Sequence, residues 1–215
     1  MGMVKAEHVE RMTPPHVSRT ADTEWQDVWS RRRWGLEKKQ DELAELERAS
    51  REFRYFLPSM VTGLLATPDY VRASLAHIPG DHSKAIAKKL ERQARLPDTA
   101  KLFTFILTEQ AVRWPILPPP AMAMQVDRLM SISLLPNVRL GVIPLAGHMP
   151  RAPLNTFTVY DTRLATAETR SGAMLFRDPR DVSAYLDEFA VYESYALFGQ
   201  EGRRQLSEWA GVFGS

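Results

Sequence analysis

The sequence contains no cysteine. Disulfides, thiolate nucleophiles and Cys-ligated zinc are therefore excluded. It also lacks a charge excess, since 28 basic and 26 acidic side chains leave a formal charge of +2. No global field marks it as a binder of nucleic acid or of another polyanion. No apolar run is long enough to span a bilayer, and the opening MGMVKAEHVERMTPPH has no apolar core of the signal-peptide type. The expectation is a soluble cytoplasmic protein with no membrane association and no direct nucleic-acid contact. The phosphate-cradling patterns G-x-x-x-x-G-K-S/T and G-x-G-x-x-G are missing, as is the G-x-S-x-G nucleophile elbow. The histidines are His8, His16, His77, His82 and His148; none is at i,i+4 to another, and H-E-x-x-H is absent. No helix-borne metal site is expected, and no cofactor is implied.

What is present is the composition of an ordinary globular protein, 44% hydrophobic and 25% charged. A chain of 215 residues buries a core without staples. Residues Met1 to Thr23 are polar, carry Pro14-Pro15 and show no period, which reads as a disordered arm or a linker remnant. Residues 24–215 read as one domain. Apolar positions from Leu36 through Leu43, Leu46, Phe53 and Leu57 recur at helical steps and predict a long helix over about 24–57, ended by Pro58. On that helix Glu47 and Arg51 form an i,i+4 pair. Thr67-Pro68 predicts the start of a second helix, and residues 83–96 a third. That third helix has Ile86, Leu90 and Ala94 on one face and Lys88, Lys89, Arg92 and Arg95 opposite.

After Pro97 the pattern changes. KLFTFILT reads as a buried, central or parallel strand, VRLGVIPL as a second, and LNTFTVYD with RLATAET as a hairpin turning at Asp161-Thr162. Helices are expected over about 121–134, from Asp178 onward, and over about 201–212. The predicted fold is α+β: a helical N-terminal half packed on a small sheet of about four strands, followed by C-terminal helices.

Several side chains stand at places where sites form. Glu109 follows one predicted strand and Glu168 ends another; carboxylates converging there can bind a cation or serve acid–base chemistry. Otherwise each caps a helix or pairs with arginine. Arg92 can clamp an anion, and His148 is a loop candidate for proton transfer. Trp114 and Tyr160 are candidate pocket-wall or core aromatics, and Met122, Met124 and Met130 read as core filling. Arg31-Arg32-Arg33 between Trp29 and Trp34 is a basic–aromatic patch, weakened by the acidic run that follows it.

MVTGLLATPDYVRASL resembles the signature V-P-G-L-L-Q-T-x-x-Y-A-R of a domain of unknown function in actinobacterial transcriptional regulators. In those proteins the domain follows a Cro/repressor-type helix-turn-helix. KKLERQARL, TEQAVRW, AMQVDRLMSISLLPNVRLGVIP, NTFTVYD and ATAET resemble its later motifs in the same order. The resemblance implies an antitoxin-like regulatory domain that binds a small protein partner or a small molecule. It carries over Tyr70, Arg72, Arg92, Gln93, Glu109, Gln125 and Glu168 as matching polar positions, and marks Leu64, Leu65, Tyr70 and Arg72 as candidate partner contacts. Two signature positions differ: Thr62 stands for Pro and Ala66 for Gln. No helix-turn-helix precedes residue 24, which fits either a cut chain or a stand-alone protein.

Two functional readings follow. A regulatory binding module has no turnover, exposes an apolar patch or groove and dimerises through its N-terminal helix. An enzyme or small-molecule binder built on the same fold has a pocket where Glu109, Glu168 and Arg92 converge, with Trp114 and Tyr160 as walls and His148 at the mouth.

Overall fold

The computed structural model describes residues 23–27, 41, 44–147, 149, 151–169 and 172–214. Strand β1 (Thr23–Asp27) comes first, then helix α1, described over 44–49, and β2 (Glu52–Leu57). Helices α2 (Pro68–Leu75) and α3 (Ser83–Arg92), with a 3₁₀ turn at Gln93–Arg95, lead to β3 (Leu102–Thr108). Helices α4 (Glu109–Arg113) and α5 (Pro119–Ile132) lead to β4 (Val138–Ile143). A meander of β5 (Thr156–Tyr160), β6 (Leu164–Thr169) and β7 (Gly172–Phe176) precedes α6 (Pro179–Tyr195) and α7 (Gly199–Gly211).

The α+β class stands, but among the described residues the sheet has seven strands rather than about four, in the order β1-β7-β6-β5-β2-β3-β4. Strands β2, β3 and β4 are parallel, joined by helical crossovers; β2, β5, β6, β7 and β1 are successively antiparallel. The long helix over 24–57 does not form. Its ends are strands, and within its described part only residue 41 and residues 44–49 are helical. The misreading has a plain cause. Phe53 and Leu57 stand four apart, which satisfies both a helical period and a strand face; Tyr55 between them shares that face, and Phe56 packs on the other. Trp29, Trp34 and the arginine triplet lie outside the described residues, as do His8, His16 and His148.

Both sheet faces are covered. On one, Phe53, Phe105 and Leu140 pack against Tyr70, Val126, Leu206 and Trp209 of α2, α5 and α7. On the other, Phe56, Ile106 and Phe157 meet Val182, Phe189 and Tyr192 of α6, with Phe56 stacked 3.9 Å from Tyr192. Each fully buried aromatic contributes about 1.5–3 kcal/mol. Helix starts follow the sequence. Thr67 accepts from the Tyr70 N–H at 3.2 Å, Thr108 from Ala111 at 3.3 Å, and Asp178 from Arg180 at 2.8 Å. Asp161 turns the β5–β6 hairpin at φ +52°. Its carboxylate accepts from the Arg51 and Glu52 N–H groups, both at 2.9 Å. The segment after α6 returns to the outer edge of β4, where Leu197 and Val142 exchange hydrogen bonds of 3.0 and 2.8 Å.

Candidate functional site

The loop after β2 carries the sequence signature, and its backbone is fastened by three side chains. The Val61 N–H donates to the Tyr70 hydroxyl at 3.1 Å. Gln93 Nε2 donates to the Gly63 and Ala66 carbonyls at 2.7 and 2.8 Å. Gln125 accepts from the Thr67 N–H at 2.7 Å and donates to the Leu65 carbonyl at 3.1 Å. Arg128 in turn donates to Gln93 Oε1 at 2.6 Å. Leu64 and Leu65 point into the core and are fully buried. A loop fixed at both backbone and side chain forms a rigid wall.

That wall bounds a cavity of about 110 Å³. One water needs roughly 10–15 Å³ of such space, so several fit. Tyr55, Leu57, Thr156 and Thr158 of β2 and β5 form the floor. Tyr70, Val71 and Ser74 enter from α2, Lys89 and Arg92 from α3, and Glu168 from the end of β6.

Beside the cavity, on the same sheet face, lies a buried ionic cluster centred on Glu47, which is 1% exposed. Arg92 donates to it through Nε at 3.1 Å and through Nη2, and Arg95 Nη1 donates at 2.7 Å. The Tyr55 hydroxyl approaches the same carboxylate at 3.5 Å. Lys101 Nζ donates to the carbonyls of Glu47 and Ser50 at 2.6 and 2.7 Å, closing the end of α1. Burial, then the neighbouring Tyr160 and Glu47, push the Tyr55 phenol well up. Tyr160 is raised by burial and by Glu47, and Tyr70 by burial. All three phenols are therefore protonated near neutral pH, able to donate hydrogen bonds and unsuited to act as bases.

The structure brings together only part of the predicted set. Arg92, Glu168 and Tyr70 line this cavity, and Tyr160 is buried outside its lining. Glu109 does not join them: it pairs with Arg113 and accepts from the Leu145 N–H at 3.0 Å. Trp114, expected as a wall or core residue, is 58% exposed, and Met124, expected as core, is 62% exposed. Leu64, Leu65 and Tyr70 are buried, so of the four candidate partner contacts only Arg72 is on the surface, paired with Asp69. Arg92, a candidate anion clamp on the charged face of α3, is turned inward and held by Glu47. Glu47, Tyr55, Lys89 and Thr158 were missed. The i,i+4 spacing of Glu47 and Arg51 hid the partner 45 residues away, and no local spacing signals Thr158.

Among the described residues no group of three or more metal-ligating side chains forms, and no helix is long and apolar enough to cross a membrane. No relative matches among curated proteins. Three solved structures show a distant likeness. An archaeal chromatin protein, TrmBL2, has 10% identity and a TM-score of 0.41 over 81% of this chain, which spans 54% of that protein's length. Nuc, a phospholipase D family member from Salmonella typhimurium, has 10% identity and a TM-score of 0.41, covering 74% of this chain and 90% of its own. NucT from Helicobacter pylori has 8% identity and a TM-score of 0.46, covering 82% and 98%. The profile of the domain of unknown function DUF5753 matches residues 40–208, from the ionic cluster through the signature loop to α7, and the chain belongs to that family.

Proposed function

We propose that this domain is a ligand-binding regulatory module related to the effector domains of actinobacterial transcriptional regulators, with the cavity behind the signature loop as its binding site. One observation carries the reading. The segment that resembles the family signature, residues 60–71, is the segment that walls the cavity. A loop held by Tyr70, Gln93 and Gln125 is suited to reporting occupancy, because a ligand against Val61 or Gly63 presses on a backbone with fixed partners. The acid–base alternative has less support, since Glu109 lies away from Glu168 and the cavity phenols stay protonated.

Native mass spectrometry of the protein purified from cells tests this reading. The expected result is a small non-covalent adduct that is lost on denaturation and is absent from Thr158→Leu, whose larger side chain fills the floor. The reading is overturned if no adduct is found and no fraction of a cell extract raises the melting temperature.

A second reading, docking of a small protein partner, is favoured by a different surface. Trp114, Leu145 and Leu154 are 58–90% exposed and lie at the end of the sheet where β3 and β4 finish and β5 begins. Exposed apolar groups gathered at one end mark an interaction surface. Under this reading Trp114→Arg abolishes partner capture and leaves the cavity intact.

A further inference from the structure

We infer that Arg128 receives an oxyanion, a carboxylate or phosphate group carried by a bound molecule, and that Gln93 passes this event to the wall of the cavity. It is a second site, independent of whether the cavity is filled. Arg128 is on α5, half-buried against the 3₁₀ turn that carries Gln93. Other arginines held against the fold face carboxylates: Arg92 and Arg95 face Glu47, Arg113 faces Glu109 and Arg139 faces Glu193. Arg128 faces none among the described residues. Its Nη2 donates to the neutral amide oxygen of Gln93 at 2.6 Å. Its Nε is closed off from solvent and has no acceptor. The adjacent Asp127 is exposed and makes no ion pair with it. Burial lowers the Arg128 pKa with no opposing charge, yet a guanidinium stays protonated in a protein.

A guanidinium drawn partly out of water without a counter-charge is costly. Nη1 makes no hydrogen bond among the described residues. With Nη2 it presents a planar fork of donors that matches the edge of a carboxylate or phosphate. An oxyanion there supplies the missing charge. The effect reaches the signature loop through one side chain, because the two ends of the Gln93 amide differ. Arg128 holds the oxygen, which fixes the nitrogen toward the Gly63 and Ala66 carbonyls at 2.7 and 2.8 Å. Gly63 and Ala66 line the cavity. An oxyanion that draws on the same guanidinium changes the strength of its bond to Gln93, and with it the grip on both carbonyls.

The test is an NMR titration of the ¹⁵N-labelled full chain at pH 7, with inorganic phosphate and poly-L-glutamate as probes and chloride at matched ionic strength as the blank. The Arg128 Nε–H signal, assigned by its absence from Arg128→Gln, reports binding. The amides of Leu64 and Thr67 report the coupling, since they share peptide groups with the Gly63 and Ala66 carbonyls. All three signals are expected to shift together and saturably, and the loop shifts are expected to vanish in Arg128→Gln. A response to phosphate shows that a free anion suffices; a response to the polymer alone assigns the site to carboxylates presented by a polypeptide. Gln93→Glu sets a carboxylate on Arg128 from within, and is expected to weaken the active probe at least tenfold with the arginine still in place. The site is overturned if neither probe gives a saturable shift, if chloride matches them, or if Gln93→Glu binds as well as the parent. A shift of the Nε–H signal without Leu64 and Thr67 would overturn the part given to Gln93.

Discussion

Replacing Glu47 with Gln is expected to destabilise the fold by about 3–5 kcal/mol, the usual cost of breaking a buried ion pair by removing one partner. The size follows from exposure. The Glu47 side chain is 1% exposed and that of Arg92 is 9%, so water screens the pair only weakly. Glutamine keeps the shape but not the charge, and removes the carboxylate that faces the largely buried Arg92 guanidinium. Arg95, at 24%, can turn toward water and recovers part of its solvation. An exposed pair gives the contrast: Arg72–Asp69, at 60% and 61%, is worth at most about 1 kcal/mol. For a chain of this length the Glu47 variant should melt about 6–20 °C lower, at roughly 2–4 °C per kcal/mol. Urea unfolding followed by circular dichroism reads the change as a shift in midpoint at constant slope. The double variant Glu47→Leu with Arg92→Met should recover most of the loss, because an apolar pair of similar volume strands no charge. The reasoning is refuted if Glu47→Gln lies within about 1 kcal/mol of the parent. It is equally refuted if the double variant loses the sum of the two single changes, since the cycle would then report no coupling.

Three further outcomes are expected. Burial alone would raise the Asp161 carboxyl, but the Glu52 and Arg51 N–H groups and Arg163 hold it below its ordinary value. A depressed folded pKa gives stability that is present above the unfolded value, near pH 4, and lost as pH falls through the folded one. Asp161→Asn, which tolerates the positive φ, should flatten that acid-side slope in a series of melting curves, whereas Asp161→Ala should cost about 1–2 kcal/mol at every pH. Gln125→Leu leaves the Leu65 carbonyl and Thr67 N–H without their partner and should cost about 2–4 kcal/mol, with hydrogen exchange accelerated first in the signature loop. Gly202→Ala would set a Cβ 2.4 Å from the Leu197 carbonyl oxygen, and should cost about 1–3 kcal/mol in urea unfolding as the segment before α7 shifts.

Two of the three parallel strands, β3 and β4, were legible because their signals are local. KLFTFILT and VRLGVIPL are apolar runs between breakers, and Thr67-Pro68 and Asp178-Pro179 are caps with proline at the first turn. The hairpin at Asp161 was legible for the same reason. Strand β7, GAMLF, was not: it has no β-branched residue and follows β6 closely, so nothing separated it from a loop. Strand β2 was lost to the double meaning of a four-residue apolar step. For the cavity, Glu168 came from its place at a strand end, Arg92 from a charged helix face and Tyr70 from the resemblance to a family; spacing alone could not have grouped them. They are joined by the crossovers and by the β2–β5 pairing, which align residues about a hundred positions apart. Glu109 failed as a site residue because the arginine one helical turn away and the Leu145 N–H satisfy it.

The return of Leu197 to β4 also bears on how the protein behaves in a crowded solution. VRLGVI is a short apolar strand at the rim of the sheet, the kind of segment that nucleates cross-β stacking when its edge is bare. Leu197 occupies the Val142 position on that rim from the same chain, and Phe198 fills the place beside Gly141, where a Cβ would come within 2.6 Å of its ring. The segment thus works as a guard against self-association. Loosening it should first be seen as light scattering on storage, at temperatures where the rest of the molecule is still folded.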